Sequence, residues 1–194
     1  MTHVEFREPT SQIARSSRRA MELGFESALK TGKDLPVGAV ALVSDMTLGE
    51  GVASDQSTGH SHLHAEVNAV QKAVQLQADY PYLEPTTIVT NVEPCTDCQD
   101  FLATIPSIKS VMYLIPRWEL ARMNLVLDRE PIEQSDERPY DVFRLDQPDL
   151  YRHGLALFET AHRETQGDNK GLVTFYRPKL LIAQRAFKSF QASF

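Results

Sequence analysis

Apolar residues recur at helical spacing in several stretches of the chain, and this spacing predicts five helices. The predicted helices cover residues 11–31, 64–78, 95–103, 148–163 and 178–194. Gly32 follows the first helix and acts as its stop signal. Residues 119–127 are a candidate for one more short helix.

Apolar and β-branched runs predict the strands of a sheet. Residues 37–43 are almost continuously apolar, which is typical of a strand covered on both faces, and a turn after them would form a hairpin. The predicted strands cover residues 37–43, 47–54, 86–91, 110–115 and 140–145. Polar composition predicts loops at residues 54–62, 131–139 and 166–171. This order of elements predicts an α/β sandwich with helices on both faces of a central sheet.

Size and composition narrow the class of protein. A chain of 194 residues is long enough for one domain with a full core. The net charge of -6 argues against broad, non-specific nucleic-acid binding, which depends on Lys and Arg. No run of about 18 apolar residues predicts a membrane span, and the first residues lack the features of a secretory signal. We therefore expect a cytoplasmic protein.

The candidate chemistry lies in two short elements. His64-Ala65-Glu66 is followed by Pro94-Cys95-Thr96-Asp97-Cys98, and the chain has no cysteine outside the second element. One histidine and two cysteines hold zinc while leaving its fourth position open for water, which is typical of catalytic zinc sites. The pattern matches H-x-E…P-C-x-x-C of zinc deaminases, in which the glutamate transfers protons. A thioredoxin-like redox pair is the alternative for Cys-x-x-Cys alone.

This pattern predicts His64, Cys95 and Cys98 as ligands of Zn²⁺ and Glu66 as the catalytic acid and base. Zinc-activated water would attack the ring carbon that bears an exocyclic amine, and ammonia would leave. Glu66 would take the proton from the water and deliver protons to the ring nitrogen and the leaving group. The predicted reaction is hydrolytic deamination.

Four segments carry a family resemblance: residues 33–40, Gly49-Glu50-Gly51, His64-Ala65-Glu66 and residues 93–98. They resemble the cytidine/deoxycytidylate deaminase superfamily, and within it the branch of bacterial tRNA adenosine deaminases, guanine deaminases and related nucleobase deaminases. The resemblance covers residues 12–115 well and residues 140–163 loosely.

The resemblance implies a three-layer α/β/α sandwich with a central five-stranded mixed sheet, usually in a homodimer. It implies a zinc-dependent deaminase domain over residues 1–163, and we expect residues 164–194 to be a C-terminal extension packed on the same domain. The implied substrate-binding residues are Val37, Gly38, Ala39, Ala53, Ala65, Thr90 and Asn91. Glu93 is expected to brace the loop that carries Cys95.

The chain departs from this branch at two places. Ala53 stands where an asparagine usually binds the substrate, and Gln99 and Phe101 follow the second cysteine where small residues are usual. Both departures are expected near the substrate rather than the metal. They predict a retained reaction with altered substrate recognition.

Three functions are compatible with these residues. The first is a zinc-dependent hydrolytic deaminase of a small-molecule nucleobase, nucleoside or nucleotide. The second is a tRNA wobble-adenosine deaminase, which the four bases and no acids after residue 170 favour. The third is a catalytically idle zinc-binding subunit, which has no need of Glu66.

Other aromatic and basic residues have structural interpretations beside functional ones. His60 and His62 fit an exposed loop, with contact to substrate at the pocket mouth as the alternative. Trp118 fits a partly buried position, with base stacking as the alternative. The helical spacing of Phe187, Phe190 and Phe194 favours a packing stripe over an RNA-binding surface.

Overall fold

The structure is a computed structural model that describes residues 5–32, 34–44, 46–76, 85–123, 138–165 and 180–193. In chain order its elements are β1 (Phe6–Arg7), α1 (Ser11–Thr31), β2 (Gly38–Val43), β3 (Met46–Val52), α2 (Asp55–Thr58), α3 (Ala65–Leu76), β4 (Thr86–Val92), α4 (Thr96–Ala103), β5 (Ile108–Ile115), α5 (Arg117–Arg122), β6 (Asp141–Leu145), α6 (Pro148–Thr165) and α7 (Leu180–Ala192). Among the described residues, no helix is both long and apolar enough to cross a membrane.

The strands form one mixed sheet in the order β1-β6-β5-β4-β2-β3. The hairpin strands β2 and β3 pair antiparallel, as predicted, and β2 pairs antiparallel with β4. The remaining neighbours, β4 with β5, β5 with β6 and β6 with β1, are parallel. The carboxyl ends of β4 and β5 therefore lie at the same edge of the sheet, where α/β folds commonly bind ligands.

Helices cover both faces of the sheet, and a separate apolar core lies between the sheet and the helices on each face. On one face, α1, α6 and α7 pack through a core that includes Met21, Phe158 and Phe187. On the other face, α3 and α4 pack through a second core that includes Ala69 and Leu102. This arrangement confirms the predicted three-layer α/β/α sandwich.

The sheet has six strands where the sequence predicted five. The extra strand, β1, has only two residues and pairs Phe6 with Arg144 and Arg7 with Leu145. Two residues are too short to show a periodic pattern, so this strand was missed. Its Arg7 guanidinium lies 4.6 Å from the centre of the Phe143 ring, which adds a side-chain contact to the backbone pairing.

The predicted boundaries differ from the structure in a few places. Residues 54–62, predicted as a loop, contain the single turn of α2, which Gly59 ends in the left-handed conformation at φ 75°. Its polar residues gave no helical apolar spacing, so the prediction there was wrong. The predictions for residues 124–127, 131–137 and 166–171 lie outside the described residues.

Glycines allow α3 to lie directly against β3. A Cβ atom at Gly51 would stand 2.0 Å from the Ala65 carbonyl oxygen and 2.4 Å from the Ala69 amide nitrogen. At Gly49 it would stand 2.0 Å from the Ala69 carbonyl oxygen. These are helix backbone atoms, which cannot rotate away. The two glycines therefore set the distance between α3 and the sheet.

We predict that Gly51→Ala forces α3 away from β3 and lowers the free energy of unfolding by about 1–3 kcal/mol or more. Gly154→Ala is the matched control, because a Cβ there would meet the flexible end of Met21 and alanine favours the helix. Urea unfolding of both variants tests this prediction. Equal stability of the two would contradict it.

The helix α7 completes the core on the α1 face. Phe187 is buried there, and its ring stacks on Phe25 with 6.0 Å between centroids, while Phe25 also meets Phe158 edge-on at 5.1 Å. The Arg18 guanidinium donates to the Gln191 carbonyl oxygen at 3.2 Å. The described side chains of α7 therefore pack against α1 and α6, and the extent of the C-terminal extension stays a prediction. Phe194, part of the predicted stripe, lies outside the described residues.

We predict that Phe187→Ala lowers the free energy of unfolding by about 3–5 kcal/mol, because it leaves a cavity between α1, α6 and α7. Lys188→Ala, an exposed neighbour on the same helix, should change stability by less than about 0.5 kcal/mol. Thermal unfolding of the two variants measures the difference. A similar melting temperature for both would show that α7 does not dock in solution.

Candidate metal centre and its cavity

Two helix N-termini meet at the carboxyl end of β4. His64 directly precedes α3, and Cys95 is the N-cap of α4, where its Sγ accepts a hydrogen bond from the Cys98 amide at 3.4 Å. Cys98 lies in the first turn of α4 and is buried. His64 and Cys95, which are 31 positions apart in the sequence, meet here because α3 and α4 pack on the same face of the sheet.

The three predicted ligands are close enough to share one metal ion. His64 Nδ1 lies 3.1 Å from Cys98 Sγ and 3.3 Å from Cys95 Sγ. All three ligand atoms lie within 4.8 Å of one another. A tetrahedral zinc site with its usual bond lengths needs nitrogen–sulfur separations of about 3.5 Å, so small side-chain shifts suffice to seat the ion. One imidazole and two thiols are also the donor set that zinc prefers.

The three predicted ligand side chains shift one another's pKa. The hydrogen bond from Cys98, and then that from His64, lower the pKa of the Cys95 thiol to about 4. The hydrogen bond with Cys95 raises the pKa of His64 to about 9. The hydrogen bond with Cys95 and burial raise the pKa of Cys98. Zinc must therefore displace protons from His64 and Cys98, which makes its affinity depend on pH.

Glu66 lies beside the metal ligands without belonging to their group. The carboxyl is 3% exposed, and its Oε2 accepts a hydrogen bond from Cys98 Sγ at 3.4 Å. Its Oε1 lies 3.4 Å from the Thr90 hydroxyl, which has closer acceptors in the Val92 and Gly38 carbonyl oxygens at 3.0 and 3.1 Å. Burial is the main cause that raises the pKa of Glu66 above its ordinary value. A carboxyl whose pKa is raised in this way binds a proton more readily than an exposed one, which suits it to proton transfer.

A cavity opens beside these residues, with about 450 Å³ of space between protein atoms that includes open solvent at its mouth. Its wall consists of Leu35, Val37, Ala53, Asp55, His64, Ala65, Glu66, Val92, Glu93, Cys95, Cys98 and Arg117. Three of the predicted substrate-binding residues, Val37, Ala53 and Ala65, lie in this wall. Their contact with a substrate stays a prediction.

Four other predicted substrate-binding residues lie behind the wall instead. Gly38, Ala39, Thr90 and Asn91 do not line the cavity, and the last three are completely buried. The Asn91 amide donates to the Pro36 carbonyl oxygen at 2.8 Å and accepts from the Gly38 amide at 2.9 Å. This differs from the sequence prediction, because both polar groups of Asn91 are used to hold the segment that carries Val37.

Sequence reasoning missed several residues of the wall. Asp55 comes from α2, which was predicted as loop, and Arg117 follows the end of β5. The Glu93 Oε2 accepts a hydrogen bond from the Arg117 amide at 3.0 Å, in agreement with its expected bracing position. The carboxyl-end rule for parallel strands points to Arg117 once the strand order is known.

Gln99 braces the loop that carries the first cysteine. It is 6% exposed, outside the cavity wall, and its Nε2 donates to the Pro94 carbonyl oxygen at 2.8 Å. The Tyr140 hydroxyl donates to the Gln99 carbonyl oxygen at 3.0 Å. Gln99 therefore supports the metal loop, whereas the sequence suggested a change near the substrate.

The remaining candidates lie outside the metal group. His60 and His62 are exposed, with 5.9 Å between their ring centroids, as the loop interpretation predicts. Trp118 is partly buried, and the Arg122 guanidinium lies 5.6 Å from its ring centre.

Comparison with known proteins adds family information to this geometry. The family model for the cytidine and deoxycytidylate deaminase zinc-binding region matches residues 11–115, more than half of the chain. No curated protein matches the chain significantly.

Solved structures share the fold. A tRNA:A34 deaminase, studied for A-to-I editing at the wobble position, is similar with a TM-score of 0.54 and 16% identity over 69% of this chain and 99% of that one. The guanine deaminase of Nitrosomonas europaea gives a TM-score of 0.61 and 16% identity over 79% of this chain and 87% of that one. The guanine deaminase of Bacillus subtilis gives a TM-score of 0.51 and 23% identity over 82% of this chain and 98% of that one. These identities support a common fold and leave the substrate open.

We predict that Gln99→Leu weakens zinc binding about tenfold, because the Pro94–Cys95 loop loses its hydrogen bond to α4. Asp100→Asn, an exposed neighbour on the same helix, should leave zinc binding unchanged. The rate at which each variant transfers zinc to a colorimetric chelator measures how firmly it holds the metal. If the two variants released zinc equally fast, Gln99 would not support the metal loop.

Proposed function

The chain belongs to the cytidine and deoxycytidylate deaminase family, and we propose that it is a zinc-dependent hydrolytic deaminase. Its substrate is a nucleobase, nucleoside or nucleotide, and the exocyclic amine of that substrate leaves as ammonia. The observation that carries this proposal is the buried Glu66 carboxyl, in one cavity with His64, Cys95 and Cys98. A proton-transferring group beside an open metal site is what hydrolysis of a ring amine requires.

Each residue has a distinct role in this reaction. His64, Cys95 and Cys98 hold the zinc, which supplies an activated water when bound. The raised pKa of Glu66 favours its taking a proton, which it returns to the ring nitrogen or to the departing amine. The Thr90 hydroxyl lies 3.4 Å from the Glu66 carboxyl, on the strand beneath it.

The aliphatic wall defines what the cavity accepts. Leu35, Val37, Ala53 and Val92 provide flat packing for a heterocyclic ring. They also keep bulk water from the carboxyl that transfers protons, which preserves its raised pKa. Burial of a carboxyl opposes folding. A zinc-binding subunit without catalytic activity would gain nothing in return for this cost.

The tRNA wobble-adenosine deaminase is the second candidate function. It is favoured by the similarity in fold to a tRNA:A34 deaminase and by exposed Arg185 and Lys188 on α7. The net charge of -6 and Ala53 in the cavity wall favour the small-molecule substrate. Ammonia release from free bases, nucleosides, nucleotides and tRNA distinguishes the two. We expect the protein to act as a homodimer in the cytoplasm.

We predict that Glu66→Gln lowers kcat by about 10²–10⁴-fold, because the amide has the carboxyl's shape but cannot transfer the proton. Zinc content, measured by atomic absorption, should stay at the wild-type level. Asp97→Asn, an exposed acid on α4, is the matched control and should retain activity. Wild-type turnover by the Glu66 variant would refute the assigned role.

A further inference from the structure

Arg117 lies in the cavity wall beside the metal group. Among the described residues of this wall, the charged ones besides the metal ligands and Glu66 are Asp55, Glu93 and Arg117. Asp55 lies on the His64 side, where its charge contributes to the raised pKa of His64. The other described residues of the wall are aliphatic, so they offer packing rather than side-chain hydrogen bonds to a ligand.

Arg117 has a fixed position relative to the metal centre. Its backbone amide donates to Glu93 Oε2 at 3.0 Å, and Glu93 precedes Cys95 by two residues. The residue follows Pro116 at the carboxyl end of β5, which runs parallel to β4. The backbone of Arg117 is therefore tied to the metal loop, and its charge acts on the Glu93 carboxyl of that loop. Arg117 lies in the wall of the cavity that the metal group also lines.

Further guanidinium groups lie on the Arg117 side. Arg117, Arg138 and Arg144 all act on the Glu93 carboxyl, and each favours its charged form. Arg144 also lies 5.0 Å from the centre of the Tyr151 ring. The described acids on this side are Glu93, whose pKa burial raises, and Glu119, which accepts a hydrogen bond from Tyr151. Among the described residues, this side of the cavity therefore carries more cationic than anionic side chains.

We propose that Arg117 is a specificity-determining residue that binds an anionic group of the substrate, a phosphate or a carboxylate, beyond the ring that is deaminated. This inference rests on the proposed function and names the substrate class within it. A guanidinium binds such groups through paired, charge-assisted hydrogen bonds. The aliphatic wall around Ala53 then packs on the ring, and Arg117 selects the substituent.

The first arm of the test compares substrates that differ only in charge. Ammonia release is measured for cytidine against its 5′-monophosphate, guanosine against its 5′-monophosphate, and pterin against pterin-6-carboxylate. We expect the anionic member of at least one pair to have a kcat/KM about tenfold higher. The nucleotide pairs report a phosphate and the pterin pair reports a carboxylate. Preference for the neutral member in every pair would overturn the inference.

The second arm removes the guanidinium. Arg117→Gln should lower kcat/KM for the preferred anionic substrate about tenfold, mainly through KM, and leave its neutral partner within about twofold. Arg117→Lys, which keeps a charge, should recover part of the loss. Arg122→Gln, an exposed arginine on the same helix, is the control and should change neither substrate. An equal loss for both members of the pair would assign Arg117 a structural role.

A binding measurement separates this inference from the proposed function. Calorimetry measures the affinity of inosine 5′-monophosphate, inosine, lumazine and lumazine-6-carboxylate, none of which has an exocyclic amine to lose, for wild type and Arg117→Gln. If no compound releases ammonia but the anionic ligands bind wild type more tightly and the variant loses this difference, the deaminase proposal fails and the anion site stands. If anionic and neutral ligands bind wild type equally, the anion site fails whatever the activity.

Discussion

The close contact between α3 and β3 is the constraint on which the metal centre depends. Because Gly49 and Gly51 have no Cβ, the backbone of α3 lies against the strand, with room for no side chain between them. This contact places the start of α3, and with it His64 and Glu66, at the edge where β4 ends. Cys95 and Cys98 reach the same edge from β4 and α4. The ligand geometry is therefore a consequence of helix-to-sheet distance as much as of the motif itself.

The group of His64, Cys95 and Cys98 and most elements could be predicted from the sequence because their signals are local. Helical and strand spacing located α1 and the β2–β3 hairpin, and the His-x-Glu and Pro-Cys-x-x-Cys spacings identified the three candidate ligands. The roles of Asn91 and Gln99 could not be predicted, because an amide's hydrogen-bond partners depend on the tertiary fold. Arg117 was missed for a related reason: its proximity to Cys95 follows from the parallel pairing of β4 and β5, which no local pattern reveals.

Burial of Glu66 couples the chemistry of the site to its stability. Removing the carboxyl from water raises its pKa, which suits proton transfer, and the same desolvation opposes folding. Because the folded pKa lies above the unfolded value, Glu66 opposes folding most strongly once the pH exceeds both. The hydrogen bond from the Cys98 thiol offsets part of this cost until zinc displaces its proton. A bound cation would offset more, so zinc should stabilise the domain as well as activate it.

Three amides around the cavity serve the backbone rather than a ligand. Asn91 holds the Pro36–Gly38 segment, Gln99 holds Pro94, and the Asn68 amide donates to the Val52 carbonyl oxygen at 2.8 Å. Each one fixes a loop that contributes to the wall. The NH₂ groups of all three amides are occupied, and with Ala53 aliphatic, neutral hydrogen bonding from the described side chains of the wall has little part in recognition. Discrimination between substrates must then come from shape, from backbone groups and from the charges of Asp55, Glu93 and Arg117.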